Sequence, residues 1–132
     1  MATMRLGLAA VVCLVAAGCG SPVTPSPPGQ PASVVTIAAG GDADVYHYDP
    51  PTVTVRLNTP VEVHFVDHDV VDHTWTVFDS DGTTVLANLT VAKEGDEASG
   101  SFTFTKAGTY QFWCTIPGHK GFGEVGRLTV TP

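Results

Sequence analysis

Tyr110-Gln111-Phe112-Trp113-Cys114-Thr115-Ile116-Pro117-Gly118-His119 joins a strand to a bend. Tyr110, Phe112 and Cys114 alternate with Gln111, Trp113 and Thr115, the period of two that puts successive side chains on opposite faces of a sheet. Pro117-Gly118 then turns the chain, so the thiol of Cys114 and the imidazole of His119 share one short loop. Gly121-Phe122-Gly123-Glu124 follows and adds a carboxylate. A soft thiolate beside an imidazole suits a transition metal, copper or zinc above all.

The same period extends outward on both sides. Val53, Val55 and Leu57 alternate with Thr52, Thr54 and Arg56; Val61, Val63 and Phe65 with Glu62, His64 and Val66; His73, Trp75 and Val77 with Thr74, Thr76 and Phe78. Phe102 and Phe104 continue the pattern, and Leu128 and Val130 close it. Turn residues separate the runs at Asp49-Pro50-Pro51, Asn58-Thr59-Pro60, Ser80-Asp81-Gly82, Lys93-Glu94-Gly95-Asp96 and Lys106-Ala107-Gly108. Leu86 to Ala92 has room for at most a helical turn. These spacings predict an all-β protein, an antiparallel β-sandwich in a single domain over residues 34–132. Parity places Cys114 on the face of Tyr110 and Phe112, His73 on that of Trp75 and Val77, and Glu124 on that of Leu128 and Val130.

The beginning of the chain has a different composition. A weakly basic start ending at Arg5 precedes an apolar run, Leu6 to Ala17, with the anatomy of an export signal. It ends Ala16-Ala17-Gly18-Cys19, which resembles a bacterial lipobox cut before a lipidated Cys19. Residues 1–18 thus read as a lipoprotein signal peptide, and residues 19–33, rich in Pro with Ser, Thr and Gly, as a tether. The full chain has 6 Lys+Arg against 13 Asp+Glu. Loss of Arg5 with the signal takes the net charge from −7 to −8, with His neutral. Such a surface is a poor partner for nucleic acid and a good one for a basic protein face. Both methionines, Met1 and Met4, lie in the signal. With Cys13 removed and Cys19 acylated, Cys114 is left unpaired in an oxidising compartment, where burial or metal ligation protects a thiol.

Tyr110 to Val130 resembles the C-terminal half of the cupredoxins, the type 1 (blue) copper proteins of plastocyanin and azurin type. The motif stands here as Cys114-Thr115-Ile116-Pro117-Gly118-His119 followed by Gly123-Glu124-Val125-Gly126. Phe65-Val66-Asp67 to His73-Thr74-Trp75 is similar to the family's other ligand region. The resemblance implies a Greek-key β-sandwich that binds one copper ion per chain. It implies His73, Cys114 and His119 as equatorial ligands, with the Thr74 backbone near the thiolate. It departs from the family at the axial position, where methionine is usual and this chain has Glu124. A carboxylate there is a harder, anionic donor, as in the red copper proteins, and would lower the reduction potential.

His64 reads as an exposed sheet residue beside Glu62, and His47 as surface in an early strand. His68, in the acidic run Asp67 to His73, reads as a weak second metal ligand or an alternative upstream one. No nucleophile–base pair, phosphate loop or GxSxG elbow is present, so no enzymatic activity is expected. The resemblance implies a one-electron carrier; the lipobox-like start would anchor it by lipid through Cys19 on the outer face of the bacterial cytoplasmic membrane, and a monomer is expected. Its partners would be basic redox proteins of cytochrome or oxidase type, met at an apolar lid of Ile116, Pro117, Gly118, Gly121 and Phe122. The alternatives are a copper storage or trafficking lipoprotein and a red-copper-like small-molecule redox protein.

Overall fold

Runs of Val, Thr and aromatic residues with period two pack one face inward and hydrogen-bond sideways, which is how the chain builds its two sheets. A computed structural model describes residues 34–41 and 44–132. The signal peptide, Cys19 and the tether inferred above lie outside the described residues. One sheet has the order β2-β1-β4-β7, formed by β1 (Val34–Ala39), β2 (Tyr48–Asp49), β4 (Val61–Asp67) and β7 (Glu97–Phe102). The other has the order β3-β9-β8-β5-β6, formed by β3 (Thr52–Arg56), β5 (His73–Phe78), β6 (Val85–Val91), β8 (Gly108–Trp113) and β9 (Val125–Thr131). A one-turn helix, α1 (His119–Phe122), sits between β8 and β9.

The core lies between the sheets, where Ile37, Phe65, Trp75, Val77, Phe112 and Leu128 are at most 1% exposed. Each such side chain contributes roughly 1.5–3 kcal/mol of transfer free energy. The alternation predicted for β4 is observed, with Val61, Val63 and Phe65 buried and Glu62 exposed. In β5 every residue is buried, because both faces are covered. Phe78 stacks on Trp113 with ring centroids 3.8 Å apart, and Thr76 donates to Asn88 Oδ1 at 2.8 Å.

The sandwich is the one expected, with differences in detail. Pairings β4–β7, β5–β6, β5–β8 and β8–β9 are antiparallel, whereas β1–β4 and β3–β9 are parallel. Between β1 and β4, and between β3 and β9, the chain passes through the other sheet, so strands distant in sequence become neighbours in the same direction. Leu86 to Ala92 is no helical turn: Val85–Val91 forms edge strand β6, with Ala87 and Val91 facing inward. His47 lies in a loop before β2 rather than in a strand.

Candidate metal centre

The site forms where the β8–β9 ladder ends. Trp113 pairs with Val125, and Cys114 N–H donates to the Glu124 carbonyl at 3.2 Å. Cys114 and Glu124 are therefore opposite one another, with the intervening loop folded over them. Two glycines make that loop possible. Gly118 (φ 93) opens α1 and Gly123 (φ 113) closes it, both in the left-handed region that L side chains rarely adopt. Gly123 N–H donates to the Lys120 carbonyl and Glu124 N–H to the His119 carbonyl, so His119 and Glu124 are fixed to each other through the backbone. His73 comes from the first position of β5, on the neighbouring strand.

One donor atom from each of His73, Cys114, His119 and Glu124 lies within 4.8 Å of the others, and all four residues are buried. Cys114 Sγ is 3.5 Å from His119 Nδ1, and His119 Nδ1 is 3.0 Å from Glu124 Oε2. His73 Nδ1 and Glu124 Oε1 are 2.7 Å apart, yet neither is aligned for a hydrogen bond and both count as buried polar atoms without a partner. Orphaned buried donors and acceptors are costly, and here two of them converge on the same space as a thiol and a second imidazole. Bonds of ~2.0–2.3 Å from nitrogen and sulfur to a metal give donor separations of this size. Among the described residues no Lys or Arg pairs with Glu124; the groups that face its carboxylate oxygens are the two imidazoles. The residues present therefore fit a thiophilic divalent or monovalent cation.

Acceptors around His73 decide its protonation in the metal-free site. Burial is the largest influence and pushes the imidazole down, but Cys114, Glu124 and Asp69 together outweigh it and hold it well above the ordinary value. The sulfur is held as the family resemblance implied: Thr74 N–H donates to Cys114 Sγ at 3.3 Å. The Thr74 hydroxyl lies 3.8 Å from the same sulfur and accepts from Thr115 N–H at 2.8 Å.

Of the other histidines, His68 is exposed and stands outside the cluster. His64 lies between Glu62 and Glu97 on the outer face, as the alternation predicted. Sequence reasoning missed three residues. Asp69 Oδ2 lies 3.1 Å from His73 Nε2, a carboxylate four positions before a histidine that could have been noticed. Tyr46 packs edge-on against His119 with centroids 4.8 Å apart and stacks on Phe122 at 4.8 Å. Tyr48 donates its hydroxyl proton to the Thr74 carbonyl. Nothing local in sequence signals the two tyrosines, which reach the site from the connection between β1 and β3. The lid is thus larger than expected: Phe122 is 67% exposed but has Tyr46 beneath it.

The sequence matches the family described as copper binding proteins, plastocyanin/azurin family, over residues 35–131. It is 47% identical over 45 residues to a copper-resistant cuproprotein CopI of Pseudomonas aeruginosa, covering 34% of this chain and 25% of that protein. Auracyanin-B of Chloroflexus aurantiacus is 31% identical over 128 residues, 77% of this chain and 54% of that protein. The chain thus spans from a quarter to about half the length of these relatives. The crystal structure of auracyanin from Roseiflexus castenholzii superposes with a TM-score of 0.69 at 23% identity, over 78% of this chain and 100% of that one. At that identity the superposition speaks for the sandwich alone; the match along nearly the whole folded region, on a site whose donors suit copper, makes this chain a copper-binding cupredoxin of the plastocyanin/azurin family.

Proposed function

We propose that the protein is an extracytoplasmic one-electron carrier whose copper would be held by His73, Cys114 and His119, with Glu124 as a fourth donor. The observation that carries this reading is the convergence of those four buried donors, with a carboxylate where the family resemblance implies methionine. Copper bound by a thiolate and two imidazoles supplies a centre that exchanges one electron between two oxidation states. The chain's own part is to keep the donors still. Thr74 N–H holds the sulfur, the backbone bonds across Cys114, Glu124 and His119 fix the loop, and the buried donor set excludes water. Glu124, fully buried, adds a negative charge that favours the oxidised metal.

The exit for the electron in this reading is the edge of His119, 6% exposed, beneath Tyr46 and Phe122. An exposed apolar residue at that edge suits brief docking, and the acidic remainder steers basic redox proteins. The signal-like start and the lipobox-like Cys19 support a lipid anchor on the outer face of the membrane. A trafficking or storage role has one observation in its favour, the likeness to two proteins called copper-resistant cuproproteins, over 45 residues in one and 106 in the other. Voltammetry of the copper-loaded domain separates the two. Fast, reversible one-electron cycling, with exchange to a basic partner that slows as salt rises, supports the carrier. Irreversible redox behaviour, with copper passing to a metal-free acceptor, overturns it in favour of trafficking.

A further inference from the structure

We propose that Asp69 is the positioning residue for His73: its carboxylate accepts the Nε2 proton, which commits Nδ1 to the metal, and its charge acts on the metal through the imidazole ring. This rests on the reading of His73 as a ligand. A neutral imidazole has one nitrogen that donates and one that accepts, and Asp69 decides which is which. Its Oδ2 lies 3.1 Å from His73 Nε2, while Nδ1 faces the cluster 2.7 Å from Glu124 Oε1.

The aspartate is itself built into place. Its Oδ1 accepts Val71 N–H at 2.8 Å, and its own N–H donates to Asp67 Oδ1 at 3.0 Å. The loop is tied to β1 by His68 N–H on the Ala39 carbonyl at 2.9 Å. Room for the carboxylate exists because residue 40 is glycine: a Cβ there would stand 1.7 Å from Asp69 Oδ2. The side chain of His73 is 0% exposed and that of Asp69 11%, so water screens the pair weakly. The two imidazoles are consequently unequal. His73 has a carboxylate at Nε2 and leaves Nδ1 without a hydrogen bond, whereas His119 has partners at Nδ1 and, among the described residues, no hydrogen bond at Nε2. A carboxylate behind a ligating imidazole raises its basicity and fixes its ring.

Asp67, Asp69 and His73 also bring one donor atom each within 4.8 Å of one another, and Asp67 Oδ2 is buried without a partner. A second cation there would require a lone pair on Nε2 while Nδ1 serves the first metal. The hydrogen-bond geometry at Nε2 favours a proton instead, and the second ion becomes an outcome of the test.

The test uses Asp69→Asn, which retains an acceptor without its charge, and Asp69→Ala, which removes both. In the Cu(I)-loaded wild type, 15N NMR is expected to show a slowly exchanging proton on His73 Nε2. In Asp69→Ala that proton exchanges fast, and zinc affinity falls ~10–100-fold. Asp69→Asn keeps the proton and shifts the ratio of Cu(I) to Cu(II) affinity ~10-fold towards Cu(I), a rise of ~59 mV in potential. An unchanged ratio in Asp69→Asn overturns the role of the charge, even where Asp69→Ala fails to fold. Two zinc ions per wild-type chain, falling to one in Asp69→Asn, also overturn the proposal, since Asp69 would then be a ligand. His73→Ala separates the premise: a visible band that survives it sinks the ligand reading, whereas a band lost there with Asp69 variants silent sinks only the role of Asp69.

Discussion

Glu124→Gln removes one buried negative charge from the centre and leaves the side chain's shape. Glu124 is 0% exposed, and its two oxygens lie 2.7 Å and 3.0 Å from the Nδ1 atoms of His73 and His119. An ion held among donors that are within 4.8 Å of one another sits only a few ångströms from that carboxylate. At ~4 Å and an effective dielectric of ~20, a unit charge interacts by ~4 kcal/mol with the charge that one electron adds or removes. Converted at ~59 mV per factor of ten, and reduced for relaxation around the amide, this becomes a rise on the order of 100–200 mV. The sign follows from the charge, because losing an anion favours Cu(I) over Cu(II). Voltammetry of wild type and variant at one pH and ionic strength measures it, with the visible spectrum recorded alongside. Glu124→Met should move potential and colour in the same direction, towards an ordinary blue site. A shift below ~30 mV, about threefold in the affinity ratio, together with an unchanged spectrum, would show that Glu124 neither binds copper nor faces it charged.

Cys114→Ser should abolish the intense thiolate-to-copper absorption while the sandwich still folds; a strong visible band in that variant would refute the type 1 reading. Gly126→Ala should destabilise the protein by ~1–3 kcal/mol through overpacking, because its Cβ would stand 2.2 Å from the Phe112 ring and 2.8 Å from the Pro51 carbonyl. Urea midpoints test this, and an unmoved midpoint would mean that the ring yields freely. Asp81 accepts hydrogen bonds from the Thr84 hydroxyl and from Thr84 and Thr83 N–H, which hold its carboxyl at about 2. Its folded pKa lies below the unfolded one, so its contribution is complete above ~4 and disappears as pH falls through about 2. The midpoint difference between wild type and Asp81→Asn should therefore shrink over that window in the metal-free protein; a difference independent of pH would show that the charge of Asp81 does not stabilise the turn.

Much of this molecule is local in origin and was legible as such. Alternation in Val61–Phe65 and Tyr110–Cys114 predicts which side chains face inward, because a strand's period is a property of its backbone. Cys114, His119 and Glu124 are within one loop and come together by its bends at Gly118 and Gly123. What stayed hidden depends on chains meeting from afar. Sequence order does not reveal that β1 runs parallel to β4, which follows from crossovers between layers, or that Val85–Val91 pairs with β5 to complete a sheet edge. Tyr46, Tyr48 and the space above Gly40 are likewise contributions of the β1–β3 connection to a centre built more than 20 residues later.

The sequence by itself determined the fold class and the chemistry of the donors, because strand period, turn residues and ligand type are written residue by residue. Tertiary structure alone decided the orientation of Glu124, which could have faced solvent from the same position. It is buried between two imidazoles because β8 and β9 pair in register and their last rung sets it opposite Cys114. It decided, too, that Asp69 rather than His68 stands behind His73. Adjacent residues of that loop point in opposite directions, and only its packing against Ala39 and Gly40 fixes which one turns inward.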